Sequence, residues 1–245
     1  MKIGARLGDV SRKLSESLAD LPVRDPVTHV YDPTQYAREL HERYLAFARQ
    51  GAEGLLLGMN PGPWGMAQTG VPFGEVGHVR DFLRIEGKVD PPQGEHPKRP
   101  VKGLACARSE VSGRRLWSWA AERFGTADKF FDRFFVWNWC PLAFLEATGR
   151  NRTPDKLPSE MRSVVEPACD AALREVVEIL RPTSIVAVGT FAERRATVAL
   201  KSVKLPIHRI LHPSPASPAA NRGWAEQVDQ QFARAGFSIP VPTSI

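Results

Sequence analysis

The sequence predicts an α/β fold: three layers, α/β/α, built on a central and mainly parallel sheet of four strands. Two patterns carry that expectation. Short apolar runs alternate along the chain with longer stretches of helical period, which implies parallel strands joined by right-handed helical crossovers. Three of the four runs end in asparagine-containing, polar or proline-rich segments. In sheets of this kind, ligands gather at the carboxyl edge of the strands. At 245 residues, 42% hydrophobic and 24% charged, the chain has enough apolar material for a substantial core.

Residues 1–28 are polar, carry Pro22 and Pro26, and read as a leader or short packing arm; residues 29–245 read as one α/β domain. A helix is expected over 33–50, with Tyr36, Leu40, Tyr44 and Phe47 on one face and Gly51 ending it. GLLLGM (54–59) reads as a short buried strand. Residues 116–124 read as helix, and 130–136 as an apolar strand leading to Asn138. A long amphipathic helix follows over 159–180, closed by Arg181 and Pro182. SIVAVG (184–189) is a buried strand, 191–200 a helix, and 207–211 the last strand. The final helix is expected over 219–235, with Ser217 as its N-cap and Pro218 at its first position. Residues 88–115 are loop-like and strongly basic, carrying Lys98, Arg99, Lys102, Arg108, Arg114 and Arg115.

A net charge of +6 favours a polyanionic partner, because neutralised phosphates release counterions. Cys106, Cys140 and Cys169 are widely spaced and form no CxxC pair. A four-cysteine iron–sulfur or zinc site cannot be built from them, and the spacing does not fit a secreted disulfide framework. The N-terminal residues lack the apolar core and cleavage site of a signal peptide, and no apolar run approaches the roughly 20 residues of a membrane span. The expectation is a soluble intracellular protein without membrane association: cytoplasmic or nucleoid-associated in a bacterium, nuclear in a eukaryote.

Three segments could carry chemistry. In GMNPGPWGMAQTGVPFGE (58–75), glycine and proline fix an extended loop, and Pro61 holds Asn60 out of the helical region. An isolated NPG is most often a structural turn, but this loop is long and also contains Gln68, Thr69 and Phe73. In LHPSPASPAANRGW (211–224), His212 lies between an apolar strand and a proline-stiffened turn, where a histidine can also simply satisfy a carbonyl. In FVWNWCPLAF (135–144), Asn138 sits between two tryptophans, and a buried strand gains nothing from an unpaired amide. It either caps a turn or reads a ligand.

Together these segments resemble the single-strand-selective monofunctional uracil-DNA glycosylases, a branch of the uracil-DNA glycosylase superfamily. The resemblance runs from His29-Val30-Tyr31 to the last helix. It also takes in HPKRP (96–100), SEVSG (109–113), NWCPL (138–142), GRNRTP (149–154) and HPSP (212–215). It implies a uracil-DNA glycosylase-like fold and a monomeric enzyme without metal or other cofactor. The implied reaction is hydrolysis of the N-glycosidic bond of uracil and 5-substituted uracils, such as 5-hydroxymethyluracil, in single- and double-stranded DNA. That leaves an abasic site for base excision repair.

The resemblance also implies roles. Asn60 positions the attacking water and His212 stabilises the leaving uracil anion. Asn138 reads the uracil edge, Phe73 stacks on the flipped base, and Met59 and Gly62 line the pocket. Residues 213–224 correspond to the wedge that enters the duplex, placing Ser214, Pro215, Ala216 and Arg222 against DNA. Lys98 and Arg99 are expected on phosphate, although an ordinary solvated cluster explains them equally well. No lysine occupies a motif position suited to a Schiff base, so strand-cleaving lyase activity is not expected.

One departure stands out. Family members often carry arginine after HPSP, where this chain has Ala216. Alanine cannot fill the gap left by a flipped nucleotide, so weaker action on duplex than on single strands is expected, with Arg222, one helical turn on, compensating in part. Trp64 stands where phenylalanine is common. A mismatch-specific thymine/uracil glycosylase is the alternative, but its second motif usually lacks the histidine found here as His212. A catalytically silent DNA-binding module has no residue in its favour.

Overall fold

The computed structural model describes residues 2–241. The chain opens with α1 (Ile3–Ser17), β1 (Val27–Tyr31), α2 (Pro33–Tyr36) and α3 (Arg38–Leu45). β2 (Gly54–Gly58) leads into a long loop containing α4 (Met66–Thr69) and α5 (Val76–Asp81). Next come α6 (Val111–Phe124), α7 (Ala127–Phe131), β3 (Phe134–Asn138), β4 (Ala143–Glu146) and β5 (Asn151–Arg152). The chain continues through α8 (Ser159–Leu180), β6 (Ile185–Val188), α9 (Thr190–Ala199), β7 (Ile207–Ile210) and α10 (Trp224–Arg234).

The central sheet has the order β3-β2-β6-β7, and every pair is parallel. Its inner strands are buried along their length: Leu55, Leu56 and Leu57 in β2, and Ile185, Val186 and Ala187 in β6. That is why they read as continuous apolar runs rather than alternating ones. Helices α6, α7 and α10 share an aromatic cluster with β3. Within it Trp119 stacks on Phe232 at 5.2 Å, and Phe134 meets Phe232 edge-on. Helix α8 packs on α1 and on α9.

Four elements differ from the sequence expectation, each for a local reason. The helix expected over 33–50 is two helices that break at Ala37, whose backbone lies against Gly70 of the site loop. The strand expected over 130–136 begins only at Phe134. Phe130 and Phe131 are the last turn of α7, which Thr126 caps through the Lys129 N–H. Both segments are fully buried, so a run of phenylalanines carries no period to separate helix from strand. α6 starts at Val111, not at Leu116, because the Glu110 side chain caps it by accepting from the Ser112 and Gly113 N–H groups. The last helix starts at Trp224; residues 218–223 form turns, and Ser217 caps no helix.

The segment expected as a leader or packing arm contains a 15-residue helix, α1, with Leu7, Val10 and Leu14 buried. Its buried face also carries Ser11 and Ser15, which bond to His41 and Thr34. A second, antiparallel sheet of order β1-β4-β5 was not anticipated either. No helix among the described residues is long and apolar enough to cross a membrane.

Candidate active site

The site grows from the carboxyl ends of β2 and β3. In their parallel register Gly58 faces Asn138, and the chains stay joined beyond the strands: the Trp139 N–H donates to Gly58 O and the Cys140 N–H to Met59 O. Asn60 follows at once. Its Nδ2 donates to Leu142 O at 3.1 Å, which fixes the amide and directs Oδ1 away from that contact. Asn138 is only 6% exposed, yet its Oδ1 has no hydrogen-bond partner and its Nδ2 meets only the Met66 thioether, at 3.2 Å. A buried amide left in this state costs stability unless a ligand completes it.

Phe73 is the third part. Its ring lies over Gly58: a Cβ on Gly58 would collide with Asn138 Oδ1 and sit 2.6 Å from Phe73 Cε2. Gly58 is therefore the glycine this site requires. Gly62, the glycine expected to matter, leaves ordinary contact distances of 3.6 Å and more to Glu110. Phe73 itself has φ +55°, a left-handed conformation that costs a β-carbon residue roughly 1–3 kcal/mol and tends to cluster at functional sites. Several bonds hold it there. Phe73 O accepts from the Glu75 N–H at 2.7 Å, Pro72 O from Trp117 Nε1, and Gly74 O from Thr69 Oγ1. Gly113, in SEVSG, has no side chain because a Cβ there would strike Phe73 O.

His212 enters from the end of β7. Its ring centroid is 6.3 Å from that of Phe73, and its Cβ would lie 3.0 Å from a Cβ on Gly189, which has φ +89°. The Ser214 N–H donates to His212 Nδ1 at 3.1 Å, so Nδ1 is the bare nitrogen and Nε2 carries the proton. Burial lowers the imidazole pKa to about 4, which keeps the ring neutral at physiological pH. The arrangement is a neutral imidazole with a single N–H donor near an aromatic face, an unsatisfied amide and a second, tethered amide. It suits recognition of a planar, amide-like ring on which negative charge develops.

A model of the uracil DNA glycosylase superfamily matches residues 46–233. The rat single-strand selective monofunctional uracil-DNA glycosylase is 47% identical over 94% of this chain and 84% of its own length. The chain belongs to this family. The bovine member is 46% identical over 95% of this chain and 86% of its own length. Among solved structures, Pedobacter heparinus SMUG2 superposes with a TM-score of 0.62 at 19% identity, covering 93% of this chain and 97% of that one. That last likeness concerns the fold alone.

The remaining expected residues of this uracil-DNA glycosylase family member lie around the site in two groups. In the β7–α10 loop Pro215 and Ala216 are exposed and Ser214 is half-buried, its Oγ accepting from the Ala216 N–H. Arg222 is exposed in the turns that follow, so it does not stand one helical turn from Ala216. The loop has a clamp the sequence did not reveal. Arg115 of α6 donates to Pro213 O at 2.9 Å and to Asn221 Oδ1 at 2.8 Å, while Asn221 Nδ2 donates to Pro215 O. Lys98 and Arg99 belong to a segment fastened to the Asn60 loop by the fully buried Gln68. Its Nε2 donates to Pro63 O and Pro100 O, and its Oε1 accepts from the Lys102 N–H.

Proposed function

We infer that this protein is a monofunctional uracil-DNA glycosylase of base excision repair. The observation that carries this reading is the unsatisfied Asn138 amide beside Phe73, at the strand end next to the one that presents Asn60, with the His212 ring 6.3 Å from that of Phe73. A base inside a duplex cannot be reached, so it must be flipped out and read along its Watson–Crick edge. The Asn138 amide pairs an acceptor with a donor, matching uracil N3–H and O4; cytosine reverses that pattern. Phe73 stacks on the extruded ring, a contact of about 1–3 kcal/mol.

Breaking the glycosidic bond puts positive charge on the sugar and negative charge on the base. His212 Nε2–H, held neutral and aimed, stabilises the charge developing at uracil O2. Asn60 is too weak a base to deprotonate water. With Nδ2 tied to Leu142 O, its Oδ1 orients a water that captures the sugar cation after the base departs. Met59 and Gly62 complete the pocket wall, and 5-substituted uracils such as 5-hydroxymethyluracil are accommodated beside Gly62. The scheme calls on a monomer and on no metal: an imidazole N–H donor and an oriented water are the groups that act on the bond.

Ser214, Pro215 and Ala216 enter the duplex as the wedge, with Arg222 beside them on the same surface. A wedge tipped by alanine fills the vacated stack poorly, so single strands are the better substrate. The test is incubation of purified protein, with chelator present, with uracil-containing oligonucleotide as a single strand and as a duplex, followed by alkali. Alkali-labile abasic sites are expected in both, faster in the single strand. No product would end the enzyme reading, and equal or reversed rates would end the reading of Ala216.

A further inference from the structure

Two guanidinium groups share one indole in the loop that carries Asn60. Arg108 Cζ lies 4.5 Å from the Trp64 ring centroid, and Arg99 Cζ lies 5.1 Å from it. They reach Trp64 from different segments. Arg99 follows the backbone fastened by Gln68, and its carbonyl accepts from Tyr31 Oη at 2.9 Å. Arg108 precedes the Glu110 cap, whose side chain packs on Gly65 immediately after Trp64. Two like charges gathered on one ring repel each other; the ring face offsets part of that repulsion, and a polyanion would offset the rest.

No carboxylate does so. Among the described residues, no ion pair involves Lys98, Arg99, Lys102, Arg108, Arg114 or Arg115, although ten other arginines are paired. Of the side-chain donors of Arg99, only Nη1 has a partner, the neighbouring Lys98 O, and its buried Nε has none. Stacking occupies the flat face of a guanidinium and leaves its in-plane N–H groups for a phosphate; in Arg99 the one left for it is Nη2, since Nε is buried and Nη1 is engaged.

We propose that Arg99 and Arg108, both seated on Trp64, form a phosphate grip for the DNA strand that carries the target base. The proposal rests on DNA as the substrate and adds Trp64 and Arg108 to it. Trp64 lies four residues after Asn60 in the same glycine- and proline-rich loop, which ties the grip to the segment that presents Asn60. The two ring distances hold the charges within a span comparable to that between neighbouring phosphates of an extended strand. The role of Trp64 in the grip is to orient the two guanidiniums.

The test is binding of a short single-stranded oligonucleotide without uracil, measured by fluorescence anisotropy across a salt series. It reads the grip whether or not the protein excises uracil. Arg99→Ala with Arg108→Ala is expected to flatten the slope of log Kd against log salt by about 1–2 and to weaken binding about tenfold or more at low salt. Trp64→Leu is expected to weaken binding in the same direction with both charges present, and Trp64→Phe, which keeps a ring face, to restore it. Arg38→Ala, which removes one exposed charge elsewhere, is expected to leave binding unchanged. An oligonucleotide with neutral methylphosphonate linkages is expected to bind wild type and the double variant alike. The proposal is overturned if the double variant keeps the wild-type slope, or if Trp64→Leu binds as wild type does. Loss of binding in the Arg38→Ala control to the same degree would overturn it too, since charge at any site would then suffice.

Discussion

His212→Ala is expected to slow base release by about 10²–10³-fold, the cost of removing one donor aimed at a developing anion. The loss should appear in single-turnover rate and not in affinity for uracil-free DNA, because the donor matters most when charge reaches uracil O2. The protonation state adds a second signature. An ordinary histidine changes charge near pH 6.5. His212, held by burial to about 4, stays neutral above that value, so the excision rate should show no histidine inflection between about pH 5.5 and 8. As pH falls through about 4 the ring gains a proton on Nδ1. That proton opposes the Ser214 N–H, the loop loses its anchor, and activity should fall. A rate that drops through pH 6.5, or a His212→Ala enzyme as fast as wild type, would remove the anion-stabilising role.

Gly58→Ala is the second large effect. The methyl group would push Asn138 Oδ1 and the Phe73 ring from their places at once. Displacing groups by an ångström at a reacting centre costs about 100-fold, and overpacking a buried strand end costs about 1–3 kcal/mol of stability. The variant should therefore excise uracil at least about 100-fold more slowly. It should melt only a few degrees earlier, since about 1 kcal/mol shifts the midpoint of a protein this size by roughly 2–4 °C. Its affinity for uracil-free single strands should hold, because the basic face is untouched. Near wild-type excision by a folded Gly58→Ala protein would contradict the close packing of Gly58, Phe73 and Asn138.

What was legible in the sequence follows from how local each cause is. The strands of the parallel sheet announce themselves because both faces are covered, and α8 because its amphipathic period extends over six turns. Helix α1 hid because two serines sit on its buried face, satisfied by His41 and Thr34 from far along the chain. Asn60 and His212 were legible because proline stiffens the loops that present them. Gly58, Gly113 and Arg115 were not, and Gln68 stood out only as a polar residue of the loop, without its partners. Gly58 looks like any small residue in a strand, and its necessity comes from Asn138 and Phe73, which reach it only in the fold. Arg115 looked like one more charge in a basic loop. Its partner, Pro213, is 98 residues away, and only α6 packing brings them together. The β7–α10 loop shows the opposite error: a plausible cap at Ser217 placed a helix where turns carry the chain to Gly223, whose φ is +79°.

In the proposed mechanism, base release and water capture are divided between His212 and Asn60. That division is tested most directly by the single-turnover rate of uracil release from a single-stranded oligonucleotide, wild type against Asn60→Ala. The expected result is a variant that binds the strand as tightly as wild type but yields free uracil and abasic sites at least about 100-fold more slowly, because without an oriented water the sugar cation returns to the uracil anion still held beside it. Release at the wild-type rate would contradict the account and leave Asn60 only its bond to Leu142 O.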